Sequence, residues 1–243
     1  MKSGFKEITA PTISELFQQQ IQEMIFSGQL SYGEKLPTER ELAEEMKISK
    51  SVVHLGLKQL EANGFVKTVP RHGTFVTNYF ESGNPNTLLA LLRYHGGRLD
   101  AHTTRSMIEM RAAVENMAIR LCCREASPAA IRQLERDTQE LKNAIDAGLS
   151  SAELPSLIYK YHLDLCIQSG NNILPLVMNS FKEVSLELWR DWYQFQGPEE
   201  TLQTLQQYTV CIRENRPDDA IALYDKNAEI FLDWYKKCRL SLE

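Results

Sequence analysis

Between Met46 and Asn78 the chain carries five cations, Lys47, Lys50, Lys58, Lys67 and Arg71, against a single acid, Glu61. Elsewhere acids prevail, since 32 Asp and Glu against 27 Lys and Arg leave a net charge of −5. A local basic window on an acidic protein suits phosphate: neutralising phosphates releases condensed counterions, so binding weakens with salt. Bond-breaking chemistry is not visible. The sequence has no nucleophile elbow, phosphate loop, HExxH or paired His and carboxylates at catalytic spacing. His102 beside Asp100 and Arg105 is the one suggestive cluster, and it reads as a solvated helix start. Five cysteines (Cys122, Cys123, Cys166, Cys211, Cys238) form no CxxC pair. Their odd number fits reduced, mostly buried thiols of a cytosolic protein rather than a disulfide framework.

The elements that must hold the basic window are legible around it. Thr38 and Glu41 have the spacing of a capping box, in which hydroxyl and carboxylate satisfy each other's backbone N–H. Leu42, Ala43 and Met46 then share one helical face. After the turn Lys47-Ile48-Ser49, with Ser49 as N-cap, a second helix carries Val53, Leu57 and Leu60 on a buried stripe and ends at Gly64. Gly56 inside it costs about 1 kcal/mol relative to Ala, which close helix packing would explain. Residues 65–69 and 74–76 alternate around Pro70-Arg71-His72-Gly73 as a hairpin. Upstream, Thr12 and Glu15 offer another capping box ahead of Ile13, Phe17, Ile21, Met24 and Ile25. Three helices and a hairpin in this order read as a winged helix-turn-helix, a DNA-reading module.

Strand signals vanish after Thr87. Amphipathic stretches fall at 88–93, 101–125, 128–147, 152–169, 173–195, 199–214 and 217–239, and Pro128, Pro198 and Pro217 sit where helices start. The expected architecture is mainly α: a DNA-binding domain over 1–78, a linker over 79–86 rich in turn formers, and an all-α domain over 87–240. No apolar run approaches the roughly 20 residues that cross a bilayer, and Met1-Lys2-Ser3-Gly4-Phe5-Lys6 lacks the apolar core of a signal peptide. A cytoplasmic protein with no membrane partner is expected. A purely architectural DNA binder would not need so large a helical domain.

Leu36-Pro37-Thr38-Glu39-Arg40-Glu41-Leu42-Ala43, the helix start at 49–53, Leu60-Glu61-Ala62-Asn63-Gly64-Phe65-Val66 and Gly73-Thr74-Phe75-Val76 resemble the GntR-type bacterial transcription regulators. Met110-Arg111-Ala112-Ala113-Val114-Glu115, Tyr161-His162 and Ser169-Gly170-Asn171 resemble the FadR-type branch, which has an all-helical effector domain. The resemblance implies a transcription regulator rather than an enzyme: a homodimer on a palindromic operator, tuned by a small molecule. It matches Arg40, Ser49, Lys50, Ser51, Val52, His72 and Gly73 to DNA-contacting positions. Arg40 and Lys50 can reach phosphates or guanine edges, and Ser49 and Ser51 can bond phosphate oxygens. The family usually has Arg at the position of Lys50, and Arg-Glu at His54-Leu55. Lys lacks the planar fork of Arg, so the operator should differ from those of relatives.

In the second domain many relatives bind a divalent metal through an Asp, a His one turn later and two further His. His162 fits the first His position, but Ile158 stands at the Asp position, and the other two fall near Leu205 and Asn227. No His follows His162. A single imidazole will not hold Zn²⁺, which needs three or four protein ligands, so no metal or other cofactor is expected. The candidate effector-binding residues are Arg111, His162, Asn171 and Asn227. Arg111 among apolar helices requires an anionic partner, either Glu115 at i,i+4 or the acid group of a ligand. An acidic or acyl-type effector follows from the resemblance; a diverged metal-dependent carboxylate site is the alternative.

Overall fold

The computed structural model describes residues 11–125, 127–149 and 152–240; the amino-terminal hexapeptide that argues against a signal peptide lies outside them. The chain divides into two compact units between Gly96 and Gly97. In the first, α1 (Ile13–Phe26) begins with the expected capping box: Glu15 N donates to Thr12 Oγ1 (3.2 Å) and Thr12 N to Glu15 Oε2 (2.7 Å). Thr38 and Glu41 repeat the device at α2 (Glu39–Met46). These hydrogen bonds from each Thr hold the Glu15 and Glu41 carboxyls below their ordinary range. Lys47 turns the chain in the left-handed region (φ 54°), and Ser49 caps α3 (Lys50–Ala62). Phe17, Ile21, Leu42, Val53, Leu57, Leu60 and Phe65 close the core.

Gly56 has a packing reason. A Cβ there would overlap Phe17 Cδ1 and lie 2.8 Å from Cε1, on a ring that is itself buried. Gly56→Ala gains about 1 kcal/mol of helix propensity but drives a methyl into a closed core, which costs about 1–3 kcal/mol. We expect net destabilisation, read as a lower urea midpoint; an unchanged or higher midpoint would contradict the packing.

The hairpin is β1 (Val66–Val69) antiparallel to β2 (Gly73–Val76), in register Val66 with Val76 and Val69 with Gly73. Lys35 bridges Phe75 on the outer edge. Residues 79–86 are not an extended linker. They hold α4 (Tyr79–Ser82) and the start of α5 (Pro85–Tyr94), and the turn formers Asn78 and Asn84 serve as N-caps. Both helices are tied to the end of α3. Asn84 Nδ2 donates to Ala62 O (2.8 Å) and Thr87 Oγ1 to Asn63 O (2.7 Å). Thr77 Oγ1 and Ser82 Oγ both donate to Gly64 O (2.6 and 3.0 Å). Gly64 has φ 74°, and a Cβ there would strike the Ser82 carbonyl. Glycine is required twice over.

The second unit is all helix among its described residues: α6 (Ala101–Glu125), α7 (Pro128–Asp146), α8 (Leu154–Gln168), α9 (Leu174–Ser180), α10 (Lys182–Gln196), α11 (Pro198–Arg213) and α12 (Pro217–Leu240). The single stretch expected over 173–195 breaks at Phe181 into α9 and α10. Asp100 receives the backbone N–H groups of His102 and Thr103 (2.9 Å each), so that cluster is a helix start. The central α8 packs on α6, α7, α9 and α10. Between α7 and α8, Asp137 accepts from Lys160 Nζ (2.9 Å) and Gln133 Nε2 (3.0 Å). Burial and the neighbouring Asp137 push the Asp164 carboxyl up to about 6.

Candidate nucleic-acid interface and effector cavity

The buried stripe of α3 fixes which of its side chains face out. Lys50, Ser51, His54, Leu55 and Lys58 are exposed, spaced so that they line one side of the helix. Ser49 spends its hydroxyl on the Val52 N–H (3.3 Å) and on Ser51 Oγ (2.9 Å), and Val52 is half-buried. Arg40 projects from α2, its Nε donating to Glu44 Oε1 (2.8 Å) in an exposed pair. His72 is exposed at the hairpin tip beside Gly73, whose φ of 115° suits glycine. His54 and Leu55 were not among the expected contacts, and Lys58 was expected only as part of the basic window. Their signal was the four-residue spacing from Lys50 and Ser51.

In the helical unit, residues from five helices meet around a buried ion network. On α6, Glu115 Oε1 accepts from Arg111 Nε (3.0 Å) and Nη2 (2.5 Å). Its other oxygen lies 2.6 Å from Nδ1 of His162 on α8. Arg111, Glu115 and His162 are 2%, 0% and 1% exposed. Desolvation opposes charge on Glu115, yet the Arg111 guanidinium and then His162 outweigh it and hold the carboxyl down at about 2. The Trp189 indole of α10 packs on both partners of this carboxylate, stacked on His162 (4.5 Å between centroids) and 4.4 Å from the guanidinium carbon of Arg111.

This network borders a cavity of about 50 Å³, lined further by Leu205 and Tyr208 of α11 and by Tyr224, Asn227 and Phe231 of α12. Burial pushes the Tyr208 and Tyr224 hydroxyls far up, so neither ionises at ordinary pH. His162 Nε2, Trp189 Nε1 and Asn227 Nδ2 have no well-aligned hydrogen-bond partner among the described residues, nor do Glu115 Oε2 and His162 Nδ1 across their 2.6 Å contact, and Asn227 lies beside the Tyr208 hydroxyl. Buried polar atoms left in this way cost free energy, and three of them border one cavity.

Arg111, His162 and Asn227 therefore come together, whereas Asn171 does not join them. Its Oδ1 accepts from the backbone of Ile173 (2.8 Å) and Leu174 (3.2 Å), so it shapes the turn before α9. Of the two partners open to Arg111, Glu115 is the one engaged. Ile158 is fully buried one turn before His162, and Leu205 lines the cavity with an alkyl group. This donor set does not fit a metal ion: among the described residues no three His, Cys, Asp or Glu side chains converge. Burial also pushes the Cys122 thiol up to about 12, which leaves it a poor nucleophile. No described helix is long and apolar enough to cross a membrane.

Comparison with known proteins matches residues 14–76 to bacterial regulatory proteins of the gntR family and residues 106–226 to the FCD domain. The chain is 24% identical over 174 residues to the Glc operon transcriptional activator of Escherichia coli K12, covering 71% of this chain and 66% of that protein. It is 27% identical over 195 residues to the fatty acid metabolism regulator protein of Pectobacterium carotovorum, covering 79% and 76%. Among solved structures, Lar of Listeria monocytogenes shares the fold with TM-score 0.61 at 16% identity, over 93% of this chain and 97% of that one.

Proposed function

The chain belongs to the GntR family of bacterial regulatory proteins, and from that premise we propose that it is a cytoplasmic, ligand-responsive transcription regulator rather than an enzyme. It acts as a homodimer on a palindromic double-stranded DNA operator, and a small molecule in the Arg111–His162–Asn227 cavity changes operator occupancy. The observation that carries this reading is the set of unpartnered polar atoms around one cavity. An effector with acceptor oxygens would take Trp189 Nε1 and Asn227 Nδ2. A compact acid, whose carboxylate oxygens only accept, suits these donors. His162 Nε2 lines the same cavity without a partner, so a polar group of the ligand would meet it as well. About 50 Å³ is far below the roughly 300–1,000 Å³ of pockets for larger ligands, so an acyl chain would have to part the helices.

The test is a fluorescence-anisotropy titration on sites recovered from sheared genomic DNA, at low and moderate salt, beside a thermal-shift screen of small carboxylic acids and acyl-coenzyme A thioesters. A genuine effector raises stability by about 2.7 kcal/mol at a hundredfold excess over its Kd. Absence of sequence-selective, salt-sensitive binding would refute the regulator reading. Stoichiometric Zn²⁺ or Ni²⁺ removed by changing His162 would favour the metal-dependent alternative. One winged helix buries too little surface for strong specificity, and two-fold symmetry doubles the readout. Light scattering is expected to report a dimer at micromolar concentration; a monomer with and without DNA would contradict it.

A further inference from the structure

On the exposed face of α3, the His54 side chain is held in place from another helix. Glu39, on the first turn of α2, reaches across with Oε1 2.7 Å from His54 Nδ1, while its Oε2 lies 4.0 Å from Lys50 Nζ. The imidazole is 59% exposed, so the carboxylate orients a ring that would otherwise sample several rotamers. That orientation has a chemical consequence. A carboxylate cannot donate, so the Nδ1 proton lies on the imidazole and points at Glu39. Nε2 of the neutral ring is then a lone-pair acceptor directed away from it.

In the major groove only adenine N6 and cytosine N4 offer donors to such an acceptor, whereas guanine offers O6 and N7. Leu55, the next residue, is 52% exposed on the same helix. An alkyl group beside the acceptor matches the thymine 5-methyl of an A·T pair and finds no counterpart on G·C. Lys50 and Lys58, one turn to either side of His54, supply charge for phosphates on both flanks.

We infer that His54 reads an adenine through Nε2, with Glu39 as its positioning residue, so that each operator half-site carries A·T where an arginine would select guanine. The inference rests on α3 being the DNA-reading helix and adds to that reading the identity of a base.

The full-length protein is used at pH 8, where free imidazole is neutral, to select sites from random duplex DNA, in parallel with His54→Arg, His54→Ala and Glu39→Ala. Wild-type sites are expected to share an adenine at one symmetric position, His54→Arg to replace it by guanine, and His54→Ala to accept any base there. Replacing that adenine by purine, which lacks the 6-amino group, weakens wild type about fivefold, the worth of one hydrogen bond, and leaves His54→Ala unchanged. Glu39→Ala flattens the adenine preference while affinity for random DNA persists, and Glu39→Gln, whose carbonyl still accepts from Nδ1, restores it. Recovery of the same adenine by His54→Ala overturns the inference, as does an equal loss on purine substitution in wild type and variant. A wild type that selects no sequence at all would instead overturn the DNA-reading role of α3.

Discussion

Glu115→Ala is expected to destabilise the helical unit by about 3–5 kcal/mol, because removing one partner of a buried ion pair strands the other. Arg111 would keep a full charge in a site where it is 2% exposed, and His162 Nδ1 would lose its neighbour. Indole stacking from Trp189 cannot replace the two hydrogen bonds that Glu115 accepts from the guanidinium. Equilibrium urea unfolding of the full chain measures the loss. Glu115→Gln, which retains one acceptor oxygen, should lose less, and Arg111→Met with Glu115→Leu should recover much of the deficit. A melting temperature unmoved by Glu115→Ala would mean that the pair does not form. The same carboxylate sets the acid limit. Its folded-state pKa of about 2 lies below the ordinary 4.5, so its stabilisation is complete above about 4.5 and lost as pH falls toward 2. Asp164 acts with the opposite sign. Held up to about 6, it binds a proton more readily folded than unfolded, so stability rises as pH falls through 6 toward 4. Through these two groups, melting temperature should therefore rise from pH 8 to pH 5 and fall again from pH 5 to pH 3.

The second large effect concerns DNA. Arg40→Ala combined with Lys50→Ala is expected to weaken operator binding by at least about a hundredfold at low salt, since each charge-assisted contact contributes about 1.5–3 kcal/mol. Little opposes either side chain in turning to phosphate. The Arg40–Glu44 pair is exposed on both sides and such pairs contribute about 0–1 kcal/mol, while Lys50 is 4.0 Å from Glu39. The loss should be similar on operator and random DNA, and the slope of log affinity against log salt should become shallower by about 2. The melting temperature should hardly change. Wild-type affinity across the salt range would mean that the face of α2 and α3 assigned to DNA is not the binding face.

The fold was legible wherever a local rule determined the outcome. Thr12 with Glu15 and Thr38 with Glu41 announce helix starts because cap and acceptor lie within one turn, and Pro128, Pro198 and Pro217 mark others because proline lacks an N–H. Composition misled at 79–86, where Asn78 and Asn84 look like loop formers until the helices they cap are seen. Gly56 was an unexplained cost until Phe17, 39 residues away, could be placed against it. The cavity was legible only in part. His162 and Asn227 are 65 residues apart, and the family resemblance, not spacing, suggested that they share a site. Trp189 gave no sign of its position, since a tryptophan among many aromatics in a helical domain reads as core. Asn171 was misplaced because an asparagine after Ser-Gly can shape a turn as readily as touch a ligand, and here it does the former.

The bonds that tie α4 and α5 to the end of α3 bear on how such proteins can be recombined. An exchange of DNA-reading heads cut after Asn78, where the sequence suggests a seam, would leave the carbonyls of Ala62 and Asn63 to whatever side chains the recipient supplied. It would also bring a foreign backbone against Gly64, where a carbonyl already occupies the space of a side chain. A cut between Gly96 and Gly97, both in the left-handed region with nothing near their missing Cβ atoms, moves a head with all its fastenings. The transferable module therefore ends some twenty residues beyond the hairpin, and chimaeras built on the shorter one would fail for reasons unrelated to DNA.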